Sequence, residues 1–477
     1  MHTTALKIAD KPAKNAARVL IGTNGTNWEK QGFATASAKL INAELDKKIS
    51  PVLVVEGGAY NFVFAESTER NHANSEKWRK IGAKAQLAAS QYKLDSVTLI
   101  NATDSNEVLA QVVEGFVLAN YRFDKYKTLP QSTSMVKELV LLKGSIAEKT
   151  LKEIEHLTDA TLIARDLVNE PLSYLTAEML SEEITKMGKE AGFSVEVLNK
   201  AKIKSLKMGG LIAVNLGSPN PPTFNILEYK PKKAINKNPI ILVGKGVVYD
   251  TGGLSLKPTP NSMDQMKCDM GGAASVAGAF YAAAKNELPI HLIGLIPATE
   301  NRPGGNAYTP GDVIVMHSGL KVEVLNTDAE GRMILADALS YAKKYKPELV
   351  IDLATLTGAA HRAIGSQGAV FMGNADDKVK QSLSDSGYAV YERLVEFPLW
   401  EEYDEMIVSD VADIKNVGGA TGGATTAGMF LRRFTDYPWI HIDIAGPAFL
   451  EKTEGYRLKN GSGYGVRLLY DFLKKRV

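Results

Sequence analysis

Residues 239–257 read PIILVGKGVVYDTGGLSLK. An uninterrupted apolar run opens this stretch, and such runs are typical of strands that are buried on both faces of a sheet. Lys245, Asp250 and Lys257 follow among four glycines, which allow a backbone to approach a small ion or a substrate closely. Because ligands of open α/β sheets bind beyond the carboxyl ends of the strands, the stretch predicts both a buried strand and a site at its end.

Short apolar runs alternate with longer helical patterns along the whole chain. This alternation predicts an α/β fold with a mixed, largely parallel central sheet in its larger part. The predicted strands cover residues 17–22, 52–56, 97–100, 138–142, 211–216, 224–229, 239–244, 289–296, 322–325, 348–353 and 439–444. The predicted helices cover residues 34–48, 75–92, 106–122, 145–170, 176–192, 270–285, 333–345 and 464–475.

One long helical pattern, at 145–170, separates two such α/β series and stops at Asn169-Glu170-Pro171, since proline ends a helix. No Gly/Ser-rich linker accompanies it, so the connection is predicted to be rigid. We therefore predict a smaller N-terminal α/β domain at 1–150, a connecting helix at 151–175 and a larger C-terminal α/β domain at 176–477.

The composition narrows the possible partners. The 477 residues include 56 Lys and Arg against 54 Asp and Glu, which gives a formal charge of +2. Nucleic acid is therefore not expected as a partner, because dedicated nucleic-acid binders carry a clear basic excess. No apolar stretch reaches the ~18 residues of a membrane span. With charged residues where a signal peptide needs an apolar run, the chain is predicted to be cytoplasmic.

The ligand-forming residues narrow the possible metal chemistry in the same way. A single cysteine and seven scattered histidines exclude a disulfide framework and any cysteine-rich or histidine-rich metal site. A bound metal would therefore take mainly oxygen ligands, which indicates hard or borderline ions held by Asp and Glu. The lone cysteine, Cys268, has no obvious histidine partner in the sequence and is predicted to be a buried spectator.

Two further segments carry acidic residues at the ends of predicted elements. Asp269, in MDQMKCDMGGAA, precedes a predicted helix, where an aspartate considered alone is more often a helix cap than a ligand. Asp328, Glu330 and Arg332 follow a predicted strand in VLNTDAEGRMILADAL (324–339). They would project from one face if the chain stayed extended there. Considered alone, this trio favours a salt-bridge network over a metal site.

The combination of these segments favours metal binding. Two ions ~3.5–4 Å apart can hold the attacking and departing oxygens of a hydrolysis, and carboxylates are what such a pair needs. A lysine in the site either is neutral and binds metal, or stays charged and polarises a carbonyl. The residues alone leave peptides and phosphate esters open as substrates, although the near-neutral charge favours peptides. The candidate residues are Lys245, Asp250, Lys257, Asp269, Asp328 and Glu330.

Other catalytic motifs are missing from the sequence. It contains no GxSxG nucleophile elbow and no P-loop, and Gly244-Lys245-Gly246 lacks the third glycine of a dinucleotide fingerprint. Nucleophilic serine chemistry and nucleotide binding are therefore not predicted.

The motifs closely resemble those of the leucine aminopeptidase family, the M17 metallopeptidases. NTDAEGRM at 326–333 resembles the family signature, and none of the departures, such as Tyr249, Thr251 and Met333, removes a charged group of the motifs. The resemblance covers roughly residues 160–477, whereas residues 1–150 resemble the family's N-terminal domain only in length and alternation. The other matching motifs are ARDLVNEP (164–171), VGKGVVYDTGGLSLK (243–257), DQMKCDMGGAA (264–274), PGDV (310–313), DLATLTGA (352–359) and HIDIAGPA (441–448).

The resemblance implies a catalytic peptidase domain at 176–477 that binds two divalent ions per subunit, Zn²⁺ or Mn²⁺. Asp250 and Glu330 would bridge the two ions. Asp328 would complete the more exchangeable site, and Asp269 would complete the tighter one together with Lys245 as a neutral amine.

The resemblance also implies the roles of the remaining site residues. Lys257 would polarise the scissile carbonyl and stabilise the oxyanion that forms from it. Arg332 would hold a bicarbonate ion that acts as general base. The pocket for the first side chain of the substrate would be lined by Met266, Thr355, Leu356 and Gly358.

The expected activity is that of a metal-dependent exopeptidase. It would release N-terminal amino acids, with leucine and other apolar residues preferred, from peptides with a free N-terminus. The resemblance further implies a homohexamer of two stacked trimers. Two alternatives stay open at this point: a two-metal phosphoesterase, and a scaffold protein that binds nucleic acid through a secondary site.

Overall fold

The computed structural model describes residues 4–13, 16–129 and 134–477. The chain divides into two compact units. The first comprises Met1–Leu162 and Lys452–Leu458, and the second comprises Ile163–Glu451 and Lys459–Val477. The segment Lys452–Leu458 belongs to the first unit although it is distant from it in sequence. The predicted domains, by contrast, were continuous stretches of the chain with bounds at 150 and 176.

A six-stranded sheet forms the centre of the first unit. Its strands are β1 (Ala5–Ala9), β2 (Arg18–Gly22), β3 (Val52–Glu56), β4 (Ala59–Ala65), β5 (Ser96–Asn101) and β6 (Glu138–Leu142). They lie in the order β1-β6-β5-β2-β4-β3, and every pair is parallel except β3 with β4. The helices are α1 (Thr35–Asp46), α2 (His72–Gln91), α3 (Asn106–Ala119) and the long α4 (Glu148–Asn169), within which the division between the units falls.

Two glycines let α2 and α3 pack backbone against backbone. A Cβ added at Gly115 would lie 2.0 Å from the carbonyl oxygen of Arg79, and one added at Gly82 would lie 2.2 Å from that of Val112. The two helices can therefore meet closely on one face of the sheet, where Trp78 and Phe116 are buried in a common apolar cluster.

We expect Gly115→Ala to destabilise the protein by about 1–3 kcal/mol, because overpacking against backbone cannot be relieved by a rotamer change. Urea unfolding followed by tryptophan fluorescence measures this loss. Gly25→Ala is the matched control, since a Cβ at Gly25 meets nothing within 4 Å. Equal unfolding midpoints for the two variants would contradict the close packing.

The second unit is built on a larger mixed sheet with two small accessory sheets. The strands of the main sheet are β7 (Ser194–Leu198), β8 (Thr223–Tyr229), β9 (Ile240–Gly244), β10 (Gly246–Asp250), β11 (Leu292–Asn301), β14 (Leu349–Ala354), β15 (Ala369–Gly373), β16 (Leu394–Glu396) and β18 (Trp439–Asp443). They lie in the order β16-β15-β18-β14-β9-β11-β8-β7, and β10 pairs with β11. The accessory strands are β12 (Val313–Val315), β13 (Lys321–Glu323), β17 (Ile414–Lys415), β19 (Phe449–Leu450) and β20 (Asn460–Gly461).

The centre of the main sheet is parallel, from β18 through β14 and β9 to β11, whereas β15, β8 and β7 add antiparallel pairs. The predicted α/β class with a mixed, largely parallel sheet is therefore confirmed. Every residue of β9 is buried, as the apolar run at 239–244 predicted.

Helices cover this sheet, and none among the described residues has the length and hydropathy to cross a membrane. Short 3₁₀ segments lie at Met263–Cys268, Lys343–Tyr345 and Gly365–Gln367. The helices are α5 (Ala177–Ala191), α6 (Lys200–Ser205), α7 (Gly209–Asn215), α8 (Gly271–Lys285), α9 (Gly331–Ala342), α10 (Gly358–Ile364), α11 (Asp377–Val390), α12 (Glu402–Glu405), α13 (Gly423–Arg432) and α14 (Val466–Lys474).

The strand predicted at 211–216 is wrong, because these residues form most of α7. A short apolar run fits a buried helix as well as a buried strand, so periodicity could not decide between them. The buried carboxylate of Asp337 accepts from the N–H of Leu211 at 2.9 Å, which stabilises the first turn of this helix. That long-range contact is invisible in the local pattern.

Candidate metal centre

The carboxyl ends of the central strands meet at one edge of the sheet and bring the predicted site residues together. Lys245 follows β9 directly, Asp250 is the last residue of β10, and Thr355 follows β14. Asp269 lies between the 3₁₀ segment Met263–Cys268 and α8, and Glu330 immediately precedes α9. The site therefore forms where an open α/β sheet is expected to bind ligands.

Lys245 lies at the buried end of the site. Its Nζ donates to Asp269 Oδ1 at 2.7 Å and to the carbonyl oxygen of Thr355 at 2.9 Å, and it is 2.9 Å from Glu330 Oε1. Gly331 makes room for it, because a Cβ there would lie 2.5 Å from Lys245 Cε. The glycine of the NTDAEGRM motif thus allows the lysine to reach the carboxylates.

Asp250 and Lys257 form the second half of the site. Asp250 Oδ1 accepts from Asn301 Nδ2 at 2.7 Å and from the N–H of Gly252 at 2.8 Å. Its other oxygen, Oδ2, is 2.9 Å from Lys257 Nζ, and Lys257 also forms an ion pair with Asp328. The ammonium group of Lys257 therefore lies between two carboxylates.

The carboxylates are arranged as a cation site requires. Asp250, Asp328 and Glu330 each offer an oxygen atom, and these oxygens lie within 4.8 Å of one another. Glu330 Oε2 and Asp269 Oδ2 are buried and, among the described residues, have no hydrogen-bond partner. Buried carboxylate oxygens without donors are costly unless a cation is bound, so the residues present fit divalent metal ions.

Mutual repulsion and burial shift the pKa values of the carboxylates. Burial, with the nearby charge of Glu330, raises the pKa of Asp250 to about 7. Burial also raises the pKa of Asp269 well above its ordinary value, although Lys245 opposes this. For Glu330 the two lysines outweigh burial, so its pKa is lowered. The cluster therefore retains protons that a bound cation would displace.

The pKa values of the two lysines are raised as well, which for an amine favours the charged form. Burial favours neutral amines, but Asp269, Glu330 and Asp250 together raise the pKa of Lys245 above its ordinary value. The pKa of Lys257 is raised in the same way by Asp250, Glu330 and Asp328 against the effect of burial. A divalent cation bound among the same carboxylates would instead lower the pKa of both lysines, most strongly that of Lys245, which is the more deeply buried.

Arg332 lies in the first turn of α9 and is buried. Its Nη1 donates to the carbonyl oxygen of Asn416 at 2.7 Å, whereas its Nε has no partner among the described residues. Burial lowers the pKa of Arg332 to about 10. One donor of a charged guanidinium is thus left for a further acceptor.

The expectation that Asp328, Glu330 and Arg332 share the face of an extended segment is wrong. Glu330 has helical backbone angles, φ −77° and ψ −38°, and α9 starts at the next residue. The motif turns into a helix after Asp328, so Glu330 and Arg332 lie on a helix start rather than on a strand. Side-chain spacing alone cannot distinguish these two geometries.

Asp269 does not cap helix α8, which was the alternative role considered for it. The residue before α8 is Met270, which makes no side-chain cap, and the Asp269 carboxylate accepts from Lys245 and from the hydroxyl of Thr355 at 2.8 Å. Cys268 beside it is buried and burial raises its thiol pKa to about 12, which suits a spectator.

The predicted substrate-binding residues lie in two segments that flank Asp269. Thr355 contacts both Lys245 and Asp269 directly. Leu356 and Gly358 follow it at the start of α10, where Gly358 is exposed, and Met266 is half-buried in the 3₁₀ segment just before Asp269. Their role in holding a side chain stays a prediction.

Two residues that contact the site were not predicted from the sequence. Asn301 orients Asp250 and also donates to the carbonyl oxygen of Thr327 at 2.9 Å. It ends β11, which was predicted to stop at residue 296, so its position at a strand end was missed. Asp443 ends β18 and accepts from the N–H of Leu356 at 3.1 Å. It lies in the quoted motif HIDIAGPA, but as an isolated acid it gave no signal of its own.

The fold and site define an α/β enzyme of the hydrolytic type, with buried carboxylates and lysines at the carboxyl edge of its sheet. The model of the cytosol aminopeptidase family's catalytic domain matches residues 162–470, and that of its N-terminal domain matches residues 66–130. The chain therefore belongs to the cytosol aminopeptidase family, the M17 peptidases, and is an exopeptidase. The predicted family is confirmed.

Individual relatives agree with this assignment. A probable cytosol aminopeptidase of Chlorobium limicola is 46% identical over 423 residues, which cover 83% of each chain. The bottromycin maturation enzyme BotP, solved in complex with Mn, is 30% identical with a TM-score of 0.85, and the match covers 97% of this chain and 100% of that one. A mutant of tomato leucine aminopeptidase is 28% identical with a TM-score of 0.88, over 99% of this chain and 96% of that one.

We expect binding of Zn²⁺ or Mn²⁺ to release more protons at pH 6.5 than at pH 8.5. With a pKa of about 7, Asp250 is mostly protonated at the lower pH and mostly ionised at the higher one, so a cation displaces its proton only at the lower pH. Calorimetric titration in buffers of different ionisation enthalpy measures the number of protons released. Equal release at the two pH values would contradict the shifted pKa.

Proposed function

We propose that the protein is a two-metal aminopeptidase that removes N-terminal residues, leucine and other apolar residues preferentially, from peptides. The observation that carries this proposal is that oxygen atoms of Asp250, Asp328 and Glu330 lie within 4.8 Å of one another, beside two lysines, in a chain of the cytosol aminopeptidase family. Family membership favours peptides over the phosphate esters that the site residues alone left open.

Five side chains would hold two divalent ions. Asp250 and Glu330 are the buried carboxylates central to the cluster and would bridge the ions. Asp328, which is partly exposed, would complete the more exchangeable site. Lys245 and Asp269, both buried and in direct contact, would complete the tighter one, with Lys245 as a neutral amine. When bound, the ions would supply Lewis acidity and a ligand position for the substrate's free α-amine.

Lys257 would act on the scissile carbonyl. Its raised pKa keeps it a charged donor, and its side chain is 15% exposed, which leaves it reachable from the mouth of the site. A fixed ammonium group that faces a carbonyl stabilises negative charge as it develops on the oxygen. Its two carboxylate partners, Asp250 and Asp328, hold the ammonium group in place.

Arg332 would hold a bicarbonate ion near the cluster. A buried guanidinium with an unpartnered Nε–H has the charge and the free donor that a small oxyanion requires. When bound, bicarbonate would supply a base close to the reacting centre. Arg332 itself would only bind and orient it.

The substrate's first side chain would lie against the segment Thr355–Gly358 and Met266. Leu356 and Met266 are half-buried apolar residues, which suits an apolar first residue. A homohexamer of two stacked trimers and a cytoplasmic location are proposed with the same function, on the family resemblance.

Lys257→Ala should lower kcat/KM for leucine anilide about 10²–10³-fold, the usual loss when an oxyanion donor is removed, with two metal ions per chain retained. Anilide hydrolysis and metal analysis of the purified protein measure the two effects. Lys232→Ala, at an exposed position, is the control and should behave as wild type. Loss of both metals in Lys257→Ala would show that the lysine has been assigned the wrong role.

Chelation tests the proposal as a whole. Removal of metal should abolish leucine anilide cleavage, and Zn²⁺ or Mn²⁺ should restore it, because the ammonium groups of the two lysines can neither bind the substrate's α-amine nor act as a Lewis acid. Asp250→Ala should bind neither ion. Cleavage that survives complete demetallation would overturn the two-metal function.

A further inference from the structure

We infer that Asp443 is a positioning residue for one half of the metal centre, acting through the peptide group between Thr355 and Leu356. The inference rests on the proposed two-metal function and goes beyond it. It assigns a role to a residue that would touch neither metal nor substrate, and it predicts that this role is confined to the side of the centre held by Lys245 and Asp269.

A single peptide group connects Asp443 to Lys245. The carbonyl oxygen of Thr355 accepts from Lys245 Nζ at 2.9 Å, and the N–H of Leu356 donates to Asp443 Oδ1 at 3.1 Å. These two atoms belong to the same planar unit, which cannot twist internally. Whatever fixes the N–H therefore also fixes the direction of the carbonyl that holds the lysine.

The Asp443 carboxylate is itself held firmly. Its Oδ1 also accepts from the N–H of Thr357 at 3.4 Å and of Ala445 at 3.1 Å, and its Oδ2 accepts from the Thr357 hydroxyl at 2.7 Å. The residue is 1% exposed and ends β18, where it pairs with Ala354, the last residue of β14. The carboxylate thus joins the ends of two neighbouring strands to the turn that follows one of them.

Three backbone N–H groups and one hydroxyl, rather than an ion pair, satisfy this carboxylate. Within residues 4–13, 16–129 and 134–477, no lysine, arginine or histidine lies within ion-pair distance of Asp443. A buried carboxylate that accepts several N–H groups fixes the path of the backbone that donates them. The geometry of the turn at 355–357 therefore depends on the side chain at position 443.

In the part of the chain that the structure describes, the hydrogen bonds of the turn reach only the half of the metal centre formed by Lys245 and Asp269. Thr355 reaches Lys245 through its carbonyl oxygen and Asp269 through its hydroxyl, at 2.8 Å. Asp250 is oriented instead by Asn301 and Gly252. A displaced turn would therefore misplace the ligands assigned to the tighter site and leave Asp250 in place.

Asp443→Ala is expected to weaken Zn²⁺ binding at one of the two sites by about 10–100-fold, the usual effect of losing a residue that orients a metal ligand. Binding at the other site should stay within about 3-fold of wild type. Competition with a chromophoric chelator, fitted to two dissociation constants, measures both. In Asp443→Asn both zinc dissociation constants should stay within about 3-fold of wild type. The amide oxygen still accepts the N–H groups, and the NH₂ can donate to the Thr357 hydroxyl.

A second buried carboxylate provides the matched control. Asp337 is fully buried and accepts from the N–H groups of Leu211 and His317, both at 2.9 Å, but it does not contact the turn at 355–357. Asp337→Ala should lower the unfolding midpoint as Asp443→Ala does, with both zinc constants unchanged. If both variants weaken zinc binding equally, Asp443 has a merely structural role and the inference is wrong.

A milder pair of variants keeps the test decisive if Asp443→Ala does not fold. Thr357→Val removes the bond to Asp443 Oδ2 and should weaken the same single site, whereas Thr357→Ser retains the hydroxyl and should restore it. Unchanged zinc constants in Thr357→Val and in any folded Asp443→Ala would overturn the inference. A wild-type protein that binds no zinc would instead overturn the proposed function.

Discussion

The repulsion among four clustered carboxylates, three of them buried, is the constraint on which the site depends. Asp250, Asp269, Asp328 and Glu330 would not share so small a volume without positive charge between them, and the chain supplies part of that charge as Lys245 and Lys257. Both lysines follow strand β9 within one glycine-rich segment. The order of the strands, which places β9 between β14 and β11, thus determines where the positive charges of the lysines meet the carboxylates.

Much of this organisation could be predicted from the sequence because it depends on local patterns. The buried strand at 239–244 is an apolar run, and the carboxylates follow glycine-rich strand ends, so β9, Lys245, Asp250 and Glu330 were all identifiable. The resemblance to the family then implied a metal-binding role for each of the three residues. Helix α7 was missed because its stability depends on the distant Asp337, and the turn at Glu330 was missed because spacing does not distinguish a strand end from a helix start.

The residues that escaped prediction share one property: each acts through hydrogen bonds between segments far apart in sequence. Asn301 is 51 positions from Asp250, which it orients, and Asp443 is 87 positions from Leu356. No local motif marks such residues, since an asparagine or aspartate at a strand end is common. Only the pairing of the strands in three dimensions shows that Asn301 lies against Asp250 and that Asp443 lies against the turn at 355–357.

The contact between Gly331 and Lys245 limits which substitutions this site can accept during evolution. The lysine has three partners and is 3% exposed, so it cannot move aside for a side chain at position 331. Any larger residue there would be tolerated only after the lysine had been shortened, and a shortened lysine would leave a void that glycine cannot fill. The two positions therefore form an epistatic pair, and a library intended to vary the ligands of this centre would need to change both at once.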